Sequence, residues 1–251
     1  DAVAPNQGGA VSAGTLYWPY GVGVVGDRFW IADTGNRRVL GWHGVPEPGD
    51  AAHIVLGQPD GAHNDENRGG EPTARSFRWP HAITGDAETL IIADAGNHRI
   101  VGYSPIPEVD RDADLLLGQR AFHENSELPH RAQGAHRLRF PYGASLSGDT
   151  LAIADTANNR VLFWDGVPRL GVQRPADRVI GQHDFDAAGE NRWKFVGADT
   201  LCWPYGIWLH GDRLAVADSG NNRVMLWDVG RPAPVVSPAD LSASVLLPAG
   251  A

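Results

Sequence analysis

Apolar residues along this chain come in short runs, and turn-forming residues separate them. Val22-Gly23-Val24-Val25 is followed by Gly26-Asp27, and Arg28-Phe29-Trp30-Ile31-Ala32 by Asp33-Thr34-Gly35-Asn36. Arg38-Val39-Leu40-Gly41-Trp42 runs into Gly44-Val45-Pro46-Glu47-Pro48-Gly49, a segment that cannot be helical, and His53-Ile54-Val55-Leu56-Gly57-Gln58 completes the set. The runs are rich in β-branched and aromatic residues, and no stretch carries a 3.6-residue apolar period of helical length. Four short strands separated by Gly, Asp, Asn and Pro turns predict an antiparallel meander.

The same order recurs down the chain. Ile31-Ala32-Asp33-Thr34-Gly35-Asn36-Arg37-Arg38-Val39 returns as Ile92-Ala93-Asp94-Ala95-Gly96-Asn97-His98-Arg99-Ile100, as Ile153-Ala154-Asp155-Thr156-Ala157-Asn158-Asn159-Arg160-Val161 and as Val216-Ala217-Asp218-Ser219-Gly220-Asn221-Asn222-Arg223-Val224. The aspartates stand 61, 61 and 63 residues apart. Each copy has an aromatic-proline entry: Trp18-Pro19, Trp79-Pro80, Phe140-Pro141 and Trp203-Pro204. Three copies end in Leu/Ile-Gly-Gln, at Gln58, Gln119 and Gln182; in the fourth, Ser242–Pro248 is expected as a degenerate last strand. A fixed period of this kind signals a repeat architecture. One four-stranded sheet cannot bury both faces alone, so neighbours must stack, and stacked meanders are the blades of a β-propeller. The expected fold is all-β: one propeller domain over residues 1–251, with four-stranded antiparallel blades at approximately 18–58, 79–119, 140–182 and 203–247.

The motif Val/Ile-Ala-Asp-x-Gly-Asn-x-Arg-Val/Ile, preceded by an aromatic-Pro-Tyr-Gly entry, resembles the NHL-repeat family of β-propellers from Trp18 to about Trp227. The repeat here is longer than the usual NHL blade, and the surplus falls in loops. The family usually has six blades, whereas four are visible. Residues 1–17 align with the loops that follow Gln58, Gln119 and Gln182, so the first repeat is entered as if a fourth strand had just ended. Four blades closing on themselves, a part of a larger propeller, and completion by another chain or an oligomer all remain open at this stage. The resemblance implies an interaction module; some relatives are lyases or hydrolases with a channel-mouth site.

Composition narrows the partners. A formal charge of −9 argues against phosphate-driven nucleic-acid binding and against an anionic membrane surface. Lys194 is the only lysine, so cationic contacts are made by arginine forks. The single Cys202 excludes an internal disulfide framework and a cysteine-built metal site. No apolar run approaches the ~18 residues that span a bilayer. A soluble protein is expected, either cytoplasmic or exported after removal of a leader.

The repeated residues point to structure. Asp33, Asp94, Asp155 and Asp218, with Asn36, Asn97, Asn158 and Asn221, are typical turn residues. Ala157 stands where the other copies have Gly35, Gly96 and Gly220, so the left-handed position is expected at the following Asn. Arg38, Arg99, Arg160 and Arg223 are expected to pair with carboxylates or carbonyls between blades. Propeller geometry puts the aromatic entries, the Asp-x-Gly-Asn turns and the long loops on one face. There, at the channel mouth, Tyr20, His81, Tyr142 and Tyr205 are expected as a near-ring and are the binding candidates, backed by Trp18, Trp79, Phe140 and Trp203, which are expected to pack between blades. The long loops carry His63-Asn64-Asp65-Glu66-Asn67, His123-Glu124-Asn125 with His130 and His136, and His183-Asp184-Phe185-Asp186. Their spacing matches no zinc or calcium module, so no metal or cofactor is expected and no catalytic residue is assigned. The leading expectation is a non-catalytic scaffold binding a protein or peptide through the loop-rich face. The alternative is a lyase or hydrolase, with or without a metal, at the mouth of the central channel.

Overall fold

The computed structural model describes residues 4–127, 130–167, 171–172, 174–230 and 243–246. By packing, the chain divides into two compact units, Asp1–Ser126 with Arg169–Gln173, and Glu127–Pro168 with Arg174–Ala251. The first unit holds two sheets. One is β1 (Pro19–Val25), β2 (Arg28–Asp33), β3 (Arg38–His43) and β4 (Ile54–Leu56); the other is β5 (Pro80–Gly85), β6 (Leu90–Asp94), β7 (Arg99–Tyr103) and β8 (Leu115–Leu117). Neighbours in sequence are neighbours in each sheet, all antiparallel.

The second unit repeats the plan with β9 (Pro141–Ser147), β10 (Thr150–Asp155) and β11 (Arg160–Asp165). Gly171–Val172 (β12) belongs to the first unit and adds a parallel strand to β8. β13 (Arg178–Ile180) completes the third blade. The fourth blade is β14 (Pro204–His210), β15 (Arg213–Asp218), β16 (Arg223–Asp228) and β17 (Ala243–Leu246). β17 pairs antiparallel with β16, so Ala243–Leu246 is the expected last strand; Ser242 and Leu247–Pro248 lie outside the described residues. Every described helical segment is a short 3-10 turn.

Alternation along each strand sends one residue set into each core. In the first unit Val25, Trp30 and Leu56 of the first blade pack with Phe77, Leu90 and Ile92 of the second. In the other unit Ala152, Val161 and Phe163 pack with Leu209, Leu214 and Met225.

The hairpin between second and third strands is built alike four times, and it corrects one expectation. A 3-10 turn, Thr34–Asn36 in the first blade, is followed by a left-handed residue. That residue is Arg37, His98, Asn159 or Asn222, at φ 54°, 55°, 54° and 52°, one position beyond the expected Asn36, Asn97, Asn158 and Asn221. The Asn amide is engaged instead in side-chain hydrogen bonds. Asn36 Nδ2 donates to Asp33 Oδ2 at 2.8 Å and to Asn6 Oδ1 at 2.8 Å. The glycine is kept for room. A Cβ on Gly35 would lie 2.6 Å from Tyr17, and one on Gly96 2.2 Å from the Arg78 carbonyl oxygen. Ala157 is accommodated by a small withdrawal: its N–H lies 3.1 Å from the Arg139 carbonyl, against 2.7 Å for Gly35 to Tyr17.

The arginines are corrected in part, since they do reach carbonyls in the loops between blades. Their carboxylate partner is in the same blade, directly opposite in the register of second and third strands. Arg99 Nε donates to Asp94 Oδ2 at 2.7 Å; its Nη atoms reach the Phe122, Thr73 and Ser76 carbonyls, in the loops that leave and enter that same blade. Arg38 and Arg160 repeat this with their own loops. Asp33, Asp94, Asp155 and their arginines are fully buried. Burial pushes the Asp94 carboxyl above its ordinary value, while Arg99, Asn97 and the Arg78 N–H pull it back.

A further amide closes each clasp. Asn67 and Asn97 exchange side-chain hydrogen bonds at 3.2 and 2.8 Å, and Asn191 and Asn221 do so at 3.0 and 2.9 Å. In the third blade Gln133 takes this place opposite Asn158. Asn6, Asn67 and Asn191 recur 27 residues before their aspartates, a periodicity that identifies them in the sequence once it is sought.

Candidate functional site

Hydrogen bonds tie the entry, the Asp-x-Gly-Asn turn and the long loops together within each blade. Tyr17 N–H donates to Asp33 Oδ1 at 2.6 Å, Gly35 N–H to the Tyr17 carbonyl at 2.7 Å, and Arg37 to the Asn64 carbonyl at 3.4 Å. The entry aromatics are all left-handed, with φ 47° at Trp18, 61° at Trp79, 47° at Phe140 and 51° at Trp203. This backbone is costly for a bulky residue, and a residue before proline ordinarily sits in the extended region.

The twist turns the rings out of the blade interior, which overturns the expectation that they pack between blades. Trp18 is 65% exposed and Trp79 36%, Trp203 is exposed, and Phe140 is half-buried. In the first unit Trp18 and Trp79 instead wall a cavity of about 330 Å³. Tyr20 and His81 stand at its edge with ring centroids 4.3 Å apart, edge to face. Tyr17 lies 4.9 Å from Trp18, and the Arg78 guanidinium covers the Trp79 ring at 5.2 Å. Thr34, Gly35 and Arg37 complete the lining. Burial lowers the His81 imidazole from its ordinary 6.5 to about 4, so it is neutral at pH 7.

The second unit brings Tyr142 and Tyr205 together, stacked at 4.9 Å, with Phe140 6.2 Å from Tyr142. Trp203 Nε1 donates to Glu190 Oε1 at 3.0 Å. The four predicted Tyr/His positions thus form two neighbouring pairs, one in each unit.

Sequence reading missed Tyr17, Thr34 and Arg37. Thr34 and Thr156 fill the variable position of the Asp-x-Gly-Asn turn, and each hydroxyl donates to a proline carbonyl in the next blade of its own unit. Thr34 reaches Pro80, and Thr156 reaches Pro204 at 2.6 Å. Ala95 and Ser219 occupy the same place in the other copies, and that Thr-Ala-Thr-Ser alternation was the available signal.

His63 Nδ1 lies 2.7 Å from Asp60 Oδ1 on a half-exposed loop. Among the described residues no three His, Cys, Asp or Glu side chains form a group able to hold a metal ion. No described helix is long and apolar enough to cross a membrane.

No family model and no curated protein matches the chain. Solved structures do. A humanised mutant of the Chaetomium thermophilum Polycomb Repressive Complex 2 bound to an inhibitor is similar at TM-score 0.52 and 11% identity, over 88% of this chain and 41% of that one. An active polycomb repressive complex 2 in the basal state gives TM-score 0.52 and 11% identity, over 88% and 40%. The RRP9 WD40 repeats give TM-score 0.47 and 15% identity, over 84% and 49%. The chain therefore spans about 40–50% of the length of these structures. At such identities the likeness concerns the fold, and with the four antiparallel meanders it makes the chain an all-β protein of the β-propeller class.

Proposed function

We propose that this chain is an NHL-type propeller acting as a binding scaffold for a protein or peptide, with the contact made on the loop-rich face. The observation that supports this reading best is the aromatic cavity of the first unit. Trp18, Tyr20 and Trp79 offer large apolar surface on a backbone already held by the Tyr17–Asp33 and Gly35–Tyr17 hydrogen bonds. Rigid aromatic anchors of this kind lose little freedom on binding and dominate interface energies.

The lining also indicates what the cavity accepts. A neutral His81 and four indole or phenol rings suit an apolar segment, such as a proline-containing extended peptide. Arg37 adds a guanidinium for a peptide carbonyl or carboxylate. The overall charge of −9 disfavours nucleic acid. The enzyme reading at Tyr20, His81, Tyr142 and Tyr205 has weaker support, because an imidazole lowered to about 4 is far from the pH-matched value that acid–base catalysis favours.

Selection of a displayed random-peptide library on the purified chain tests the proposal. Apolar or proline-containing peptides are expected, with affinity falling roughly tenfold or more in Trp18→Ala and Trp79→Ala. Peptides that bind both variants as well as the parent chain contradict it.

A further inference from the structure

Among the described residues the fourth blade buries one face and leaves the other open. Leu209, Leu214, Met225 and Trp227 point into the core of the second unit. On the opposite face Gly206, Trp208 and Val224 are exposed, and Ala215 and Ala217 are only half-buried, whereas Ala152 and Ala154 at the matching places of the third blade are fully buried. The turn follows suit. Thr34-Gly35-Asn36 is buried in the first blade, but no residue of Ser219-Gly220-Asn221 is.

The junction between third and fourth blades shows what such a face receives. Gly143 makes room for the Tyr205 carbonyl, 2.5 Å from where a Cβ would stand. The Thr156 hydroxyl donates to the Pro204 carbonyl, and Asn159 Oδ1 accepts the Trp203 N–H at 2.9 Å. Gly206, Ser219 and Asn222 occupy the same three places on the open face. Among the described residues a Cβ on Gly206 would meet only Ala217, at 3.8 Å. Glycine inside a strand marks a close approach of another backbone, and among the described residues of its own unit none makes that approach here.

The complementary surface is on the first blade. Its entry proline, Pro19, is exposed, while Pro80, Pro141 and Pro204 are buried. Tyr20, Val22 and Val24 share one face of β1 and are 65%, 63% and 66% exposed.

We infer that the open face of the fourth blade docks the first blade of a second copy of this chain, reproducing the junction between third and fourth blades. Ser219 then donates to the partner copy's Pro19 carbonyl, Asn222 accepts the N–H of its Trp18, and Gly206 admits the carbonyl of its Tyr20. Such a contact is head-to-tail, so each copy donates one face and receives on the other.

Sedimentation equilibrium of the whole chain over a range of concentrations tests this, alongside thermal melts. Self-association is expected, weakened roughly tenfold or more by Gly206→Val and by Val22→Arg with the melting of the dilute, dissociated chain unchanged. The same change at the covered junction, Gly143→Val, is expected to lower the melting temperature. A chain that stays monomeric at every concentration, whether its faces are open or closed on themselves, overturns the proposal. So does self-association indifferent to both Gly206→Val and Val22→Arg, which places the contact elsewhere.

Discussion

Truncating Arg99 to alanine removes the hub of the second blade. The guanidinium is fully buried and serves Asp94 Oδ2 at 2.7 Å and the carbonyls of Phe122, Ser76 and Thr73 at 2.7, 2.8 and 3.0 Å. Its loss leaves the Asp94 carboxylate with only Asn97 and the Arg78 N–H. Removing one partner of a buried ion pair costs about 3–5 kcal/mol, and each orphaned buried carbonyl adds roughly 1–3 kcal/mol unless water reaches it. Water reaching the loops reduces the second term, so the expected loss is about 5 kcal/mol, a large part of the ~5–15 kcal/mol typical of a folded protein.

Arg223→Ala is the internal control. That side chain is 10% exposed and reaches Asp218 at 2.7 Å and the Gly197 and Thr200 carbonyls at 2.8 Å; among the described residues it has no third carbonyl like that of Phe122. Its loss should be smaller, about 2–3 kcal/mol. Urea unfolding followed by tryptophan fluorescence measures both. An Arg99→Ala midpoint equal to the parent's refutes the clasp, and equal losses at both sites refute the weight given to the full burial of Arg99 against the 10% exposure of Arg223.

Three further outcomes follow from the same geometry. His81 has its folded-state value lowered to about 4 from 6.5, so the unfolded chain takes up its proton first and stability is lost as pH falls between those values. The upper bound is roughly 3 kcal/mol at 1.36 kcal/mol per pH unit; partial exposure of the ring reduces it to about 1–2 kcal/mol, and His81→Phe should lose this part of the pH dependence when melts at pH 7 and 4.5 are compared. Gly35→Ala forces Tyr17 away and should destabilise by about 1–3 kcal/mol, whereas Ala157→Gly, where the strand has already withdrawn, should change the urea midpoint by no more than about 1 kcal/mol. Thr156→Val keeps the shape but orphans the Pro204 carbonyl, for an expected loss of about 1–2 kcal/mol by calorimetry.

The strands were readable because each is bracketed by Gly, Asp, Asn or Pro and because the pattern occurs four times. Even the weak last strand, expected within Ser242–Pro248, was visible, and the structure has it at Ala243–Leu246. What misled was the assignment of propensities to single residues. Asn36 has the composition of a left-handed residue, yet its amide is committed to Asp33 and Asn6, and the strained backbone falls on Arg37, a residue with no such preference. Trp18 and Trp79 read as core aromatics because size suggests burial; one left-handed dihedral, flanked by the Tyr17–Asp33 and Arg78–Asp94 bonds, faces them outward. Tyr20 and His81 were marked by position alone, and their pairing needed the structure. Thr34 was passed over because a hydroxyl in a turn ordinarily bonds locally, whereas here it also reaches the next blade.

The contact face is the claim on which the functional reading rests. Hydrogen exchange by mass spectrometry, on the chain with and without a selected peptide, reads it directly. New protection is expected at residues 17–20, 34–37 and 78–81, around the aromatic cavity. Protection confined to the opposite hairpins, at Gly26-Asp27 and Gly148-Asp149, contradicts it.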